Sequence, residues 1–151
     1  MATILFCEDE ATIRNLLAAV MRGSQHTIAI TANAEVALRS AAEAWPDLLV
    51  TDQQLDRTAT GADLVQSLRE MAAGRSAPRV IFMTGALCRE DLEIINSVDP
   101  TLIIRKPFSI QNLREAVERA LTPEPSGWLV PPPSGLRPQG PDGIAPVLPH
   151  S

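Results

Sequence analysis

The chain has 151 residues, 45 % of them hydrophobic, a formal net charge of −5 and only 2 cysteines. That length allows a single core that needs no disulfide or metal staple, and the acidic balance gives no electrostatic footing for nucleic acid. No apolar stretch approaches the ~18 residues of a membrane span, the N-terminus lacks the zones of a secretory signal, and Cys7 and Cys88 form neither a disulfide framework nor a metal-ligand spacing.

Thr3 to Cys7 reads as a first strand. Ile13, Leu16, Leu17, Val20 and Met21 then fall on one helical stripe, with Gly23 as a stop. Thr27 to Ile30 alternates as an edge strand would. Asn33 can cap the next helix, whose apolar positions are Val36, Ala37, Leu38, Ala41 and Ala42 and which ends before Pro46.

Leu48 to Asp52 is a third strand, and Gln53 to Thr60 a polar loop. Leu64, Val65, Leu68, Met71 and Ala72 mark a third helix closed by Gly74. Val80 to Met83 is a fourth strand, Asp91 to Val98 a fourth helix facing inward with Leu92 and Ile95, and Leu102 to Ile104 a fifth strand. Pro107 stops that strand, and Ser109 can cap a last helix, Ile110 to Leu121, with Ile110, Leu113, Val117 and Leu121 inside.

Strands alternating with helices predict an α/β fold around a parallel sheet. The folded module is expected to span residues 1–122. Residues 123–151 hold nine prolines and no apolar periodicity, which predicts a flexible or polyproline-like tail. Its one apolar segment begins at Trp128. No appended DNA-binding or catalytic domain is expected.

Near-continuous apolar runs are the mark of buried parallel strands, and in such sheets sites form beyond the carboxyl ends of the strands. The runs here end in Glu8 and Asp9, in Asp52, in Thr84, and in Lys106 followed by Pro107. One sheet edge would therefore gather three carboxylates, a hydroxyl and an ammonium. At ~4 Å and an effective dielectric of ~20, each carboxylate pair repels by roughly 4 kcal/mol. A hard divalent cation relieves that repulsion, and Mg²⁺ suits carboxylates, waters and a phosphate.

Attack by a carboxylate on phosphorus forms an acyl phosphate, and the transferring group needs its equatorial oxygens neutralised. Asp52 fits as acceptor, Asp9 as the direct metal ligand and Glu8 as the outer one. Lys106 and Thr84 fit as phosphoryl partners. Lys106 is also the only lysine beside twelve arginines, which marks a place where a compact ammonium matters.

As a set, these residues resemble the receiver domain of bacterial two-component response regulators. The resemblance covers about residues 1–122 and implies a flavodoxin-like, doubly wound, five-stranded parallel sheet in the order 2-1-3-4-5 with five helices. It implies Asp52 as phosphoacceptor, Mg²⁺ held by Glu8, Asp9, Asp52 and the Gln54 backbone carbonyl, a cis Lys106-Pro107 bond, and resetting by hydrolysis. It implies a histidine kinase or histidine phosphotransfer protein as donor, a bacterial cytoplasmic setting, and a target protein meeting the fourth helix, fifth strand and fifth helix.

This sequence departs from the family pattern at three places. Asp56 stands where a proline is common, Gly61 falls one residue late, and Ile103 stands where an aromatic usually swings inward. The small residue after the hydroxyl position is Gly85. A different reading is a phosphorylation-independent adaptor with a vestigial acidic pocket, binding through its Trp128 and proline-rich tail. A metal-dependent phosphatase is disfavoured, because Gln54 stands where a second acid would serve as general acid.

Overall fold

In the computed structural model the described residues are 1–55, 59–85, 89–122 and 144–146. Asp56, Cys88 and Trp128 lie outside them. Five parallel strands, β1 (Thr3–Cys7), β2 (Thr27–Thr31), β3 (Leu48–Asp52), β4 (Arg79–Thr84) and β5 (Leu102–Arg105), stand in the order 2-1-3-4-5. The helices are α1 (Ala11–Met21), α2 (Ala34–Glu43), α3 (Gly61–Ala72), α4 (Arg89–Ser97) and α5 (Ile110–Leu121).

The strand alternation sorts the core into two layers. Leu5, Cys7, Leu49, Val80, Phe82 and Ile103 face one way and pack with Ala37 and Ala41 of α2, Leu64, Val65 and Leu68 of α3 and Ile95 of α4. Ile4, Phe6, Leu48, Val50, Ile81, Met83, Leu102 and Ile104 face the other and meet Leu17, Val20 and Met21 of α1 and Leu113, Ala116, Val117 and Ala120 of α5. β3 and β4 are covered on both faces, which is why Leu48 to Val50 and Val80 to Met83 are apolar without a break.

Helix ends follow local chemistry. Asn33 Oδ1 accepts the Val36 N–H at 2.9 Å, and Ser109 Oγ accepts the Asn112 N–H at 2.9 Å. Thr60 and Asp63 form a reciprocal capping box that starts α3. One expected inward position is corrected. Ile110 is exposed, because it is the first residue of α5, one turn ahead of Leu113, where the buried stripe begins. Ala116 and Ala120 fill the α5 face instead, where small side chains let the helix lie close to the sheet. Among the apolar residues of α2, Val36 is exposed as well.

A sixth strand was not expected. β6 (Ile144–Pro146) pairs antiparallel with β5, with Ile104 opposite Ile144, Ile103 opposite Ala145 and Leu102 opposite Pro146. Three residues holding one proline carry no strand signal of their own. The rest of the expected tail lies outside the described residues.

Candidate functional site

The sheet register sets the site. Cys7 aligns with Thr51, Asp52 with Met83 and Thr84 with Arg105, so Glu8, Asp52, Thr84 and Lys106 emerge at one edge. Glu8 is fixed by its backbone: its N–H donates to the Thr31 carbonyl at 3.0 Å. Lys106 is tied similarly, its N–H donating to the Thr84 carbonyl at 2.8 Å. The Lys106-Pro107 bond is cis.

Lys106 Nζ lies 2.8 Å from Glu8 Oε1 and 2.9 Å from Asp52 Oδ2. Glu8 Oε2 accepts the Glu10 N–H at 3.1 Å, and Asp52 Oδ1 accepts the Gln54 N–H at 3.2 Å. Glu8 has no exposed surface, and Asp52 and Thr84 are buried. Asp9 is exposed, yet carboxylate oxygens of Glu8, Asp9 and Asp52 lie within 4.8 Å of one another.

Burial raises the Glu8 pKa above its ordinary 4.5, aided by the Asp52 charge and opposed by Lys106 and the Glu10 N–H. Burial alone would lower that of Lys106. The hydrogen bonds to Glu8 and Asp52, with their charges, overcome it and raise the ammonium above its ordinary 10.5. The ammonium therefore stays charged, and it bonds two of the three clustered carboxylates. An all-oxygen, carboxylate-rich donor set of this kind fits a hard divalent ion such as Mg²⁺.

Two supporting residues carried no motif. Arg14 Nη1 donates to the backbone carbonyls of Glu8 at 3.0 Å and Asp9 at 2.8 Å, clamping the loop that holds both acids. Asp9 precedes α1 and stands five residues before Arg14, so no helical spacing announced the clamp. Gln53 is buried; its side-chain Oε1 accepts the Ala62 N–H and its carbonyl accepts the Gly61 N–H, each at 3.0 Å. It thus ties the chain after Asp52 to the start of α3. Gly61 is required there, since a Cβ would collide with the Asp52 carbonyl and come within 2.9 Å of the Phe82 ring.

Ile103 is buried in β5 opposite Phe82 and sits in the core layer with Ile95. The position that resembles the family's mobile aromatic is thus a packed aliphatic core residue.

The model of the response regulator receiver domain matches residues 4–118. Transcriptional regulatory protein PdtaR of Mycobacterium tuberculosis is 31 % identical over 120 residues, which are 79 % of this chain and 56 % of that protein. The DNA-binding transcriptional regulator NtrC of Azospirillum brasilense is 28 % identical over 80 % of this chain and 24 % of its own length. The chain therefore spans about half, or less, of the length of these curated relatives.

Among solved structures, chemotaxis protein CheY4 of Vibrio cholerae superposes with a TM-score of 0.72 at 22 % identity, covering 80 % of this chain and 99 % of that one. A CheY-like receiver domain protein of Methanospirillum hungatei gives 0.71 at 20 % identity, over 80 % and 94 %. At these identities the two structures speak for the fold alone.

Proposed function

This chain belongs to the response regulator receiver domain family, and from that premise we propose that Asp52 accepts a phosphoryl group from a histidine kinase or histidine phosphotransfer protein. The observation that carries the reading is the Lys106 ammonium, within 2.9 Å of both Glu8 and Asp52 beside a third carboxylate, Asp9. An Asp52 oxygen attacks phosphorus, a new P–O bond forms, and the bond to the donor's nitrogen breaks with its electron pair leaving on the donor. Lys106 stands where it can neutralise one phosphoryl oxygen, and the Thr84 hydroxyl can donate to another.

Mg²⁺ held by Asp9, Asp52, Glu8 and the Gln54 carbonyl would neutralise further phosphoryl charge. Gln54, an amide, supplies no general acid to speed hydrolysis, so the acyl phosphate persists long enough to be read.

The new group adds roughly −1.5 to −2 charge next to Lys106, just past β5, and Thr84, which ends β4. Their resetting changes the face formed by α4, β5 and α5, where a target protein would bind with β6 lying along the β5 edge. Exposed Ile94 and Ile110 lie on α4 and α5. With Ile103 packed in the core, the change is carried by backbone at the strand ends rather than by a swinging ring. No helix among the described residues is long and apolar enough to cross a membrane, and the proposed setting is the cytoplasm.

The test is Mg²⁺-dependent stability combined with phosphorylation. Mg²⁺ should raise the melting temperature of the native chain, and Asp9→Ala should abolish the response. Acetyl phosphate with Mg²⁺ should add the mass of one phosphoryl group. A chain indifferent to both would be the phosphorylation-independent adaptor instead.

A further inference from the structure

β5 is the terminal parallel strand, and such an edge is a template for pairing with any extended chain. Its protected stretch is unusually bare of defences. Leu102, Ile103 and Ile104 are all apolar and buried, with no charge or proline among them to discourage a partner strand. The first charge is Arg105, and Lys106 follows it.

The chain meets that edge with itself. β6 covers Leu102, Ile103 and Ile104 and stops short of Arg105, so the pairing matches the uncharged stretch residue for residue. β6 then becomes the outermost strand. It contains Pro146, and Pro149 follows in the sequence. A proline has no N–H to offer a further strand, and natural sheets tolerate it on edges. A receptive edge has been exchanged for an unreceptive one.

The connection is long enough to make this contact within one molecule. α5 has 12 residues, so after it the chain must return about 18 Å at ~1.5 Å per residue. Residues 123–143 span more than that several times over, at up to ~3.3 Å each.

We infer that the β5 edge is a strand-accepting surface and that residues 144–146 are its resident occupant, a plug held in cis that closes the edge to pairing with other chains. Strand addition of this kind takes its affinity from backbone hydrogen bonds and little from side chains. A three-residue ladder is short enough to be displaced by a longer extended segment, so the plug sets a threshold for partners rather than a permanent seal. The inference stands on the strand pairing and is independent of phosphorylation at Asp52.

The test uses the full-length chain carrying Ile144→Pro and Ala145→Pro together. Successive residues of a strand point their amides in opposite directions, so the pair removes a donor whichever of the two faces β5. Amide hydrogen exchange is followed residue by residue. The β5 amides that do not face β4 should exchange about tenfold faster or more in the variant, while β3 amides keep their protection as a control for folding.

Sedimentation should show the native chain as a monomer whose β5 protection does not change on dilution. Equal β5 exchange in the two proteins overturns the plug. A dimer that loses β5 protection on dilution overturns the cis assignment, because the strand would then be exchanged between copies.

Discussion

Lys106 Nζ stands 2.8 Å from Oε1 of Glu8, a carboxylate with no exposed surface, across 98 residues of sequence. Neither group is stable there without the other. An isolated buried charge is costly, and removing one member of a buried pair leaves the other uncompensated.

Lys106→Met should therefore destabilise the chain at neutral pH by about 3 kcal/mol, read as a lower midpoint in urea unfolding. Glu8→Gln in the same chain should recover part of that loss, because the uncompensated charge is gone. Additive losses in the double-mutant cycle would show that the two side chains do not interact.

The pH dependence follows from the same pair. Burial raises the Glu8 pKa above 4.5, so between 4.5 and that raised value the folded chain keeps a proton that the unfolded chain has lost. Rising pH through this window lowers stability in the absence of metal. A divalent cation needs the carboxylate bare, so Mg²⁺ affinity should rise through the same window. Melting temperature and Mg²⁺ titration against pH check both slopes, and parallel slopes would contradict the assignment.

Lys106 gives a second limb. Its pKa is raised above 10.5, so its stabilising contribution is complete below 10.5 and is lost as pH climbs through the higher folded value. An alkaline loss of stability that disappears in Lys106→Met is the expected result.

Gly61→Ala should destabilise by about 1–3 kcal/mol, since the added Cβ would collide with the Asp52 carbonyl and crowd the Phe82 ring. The strain falls on the phosphoacceptor's own backbone, so phosphorylation from acetyl phosphate should also slow. An unchanged unfolding midpoint would mean that α3 is set farther from β3 than described.

Much of this was legible in the residues. Asp52, Thr84 and Lys106 could be placed because each ends an apolar run, and a parallel sheet brings such ends to one edge. Asn33 and Ser109 announced their helices by capping chemistry that acts within three residues. Arg14 and Gln53 were not legible, since each works through backbone carbonyls or amides of a loop whose course depends on the folded sheet. Ile110 was misplaced for a similar reason. Its spacing fits the α5 stripe, but burial in a first turn depends on how far the sheet extends. β6 left no trace at all, because a strand of three residues is defined by its partner, β5, and not by its own composition.

The most direct measurement is to locate the phosphoryl group. The chain is treated with acetyl phosphate and Mg²⁺, the acyl phosphate is reduced with borohydride, and peptides are mapped by mass spectrometry. The predicted result is conversion of Asp52 alone to homoserine, absent from Asp52→Asn and strongly reduced in Lys106→Met. No conversion, or conversion at Asp9 with Asp52 untouched, would contradict the account.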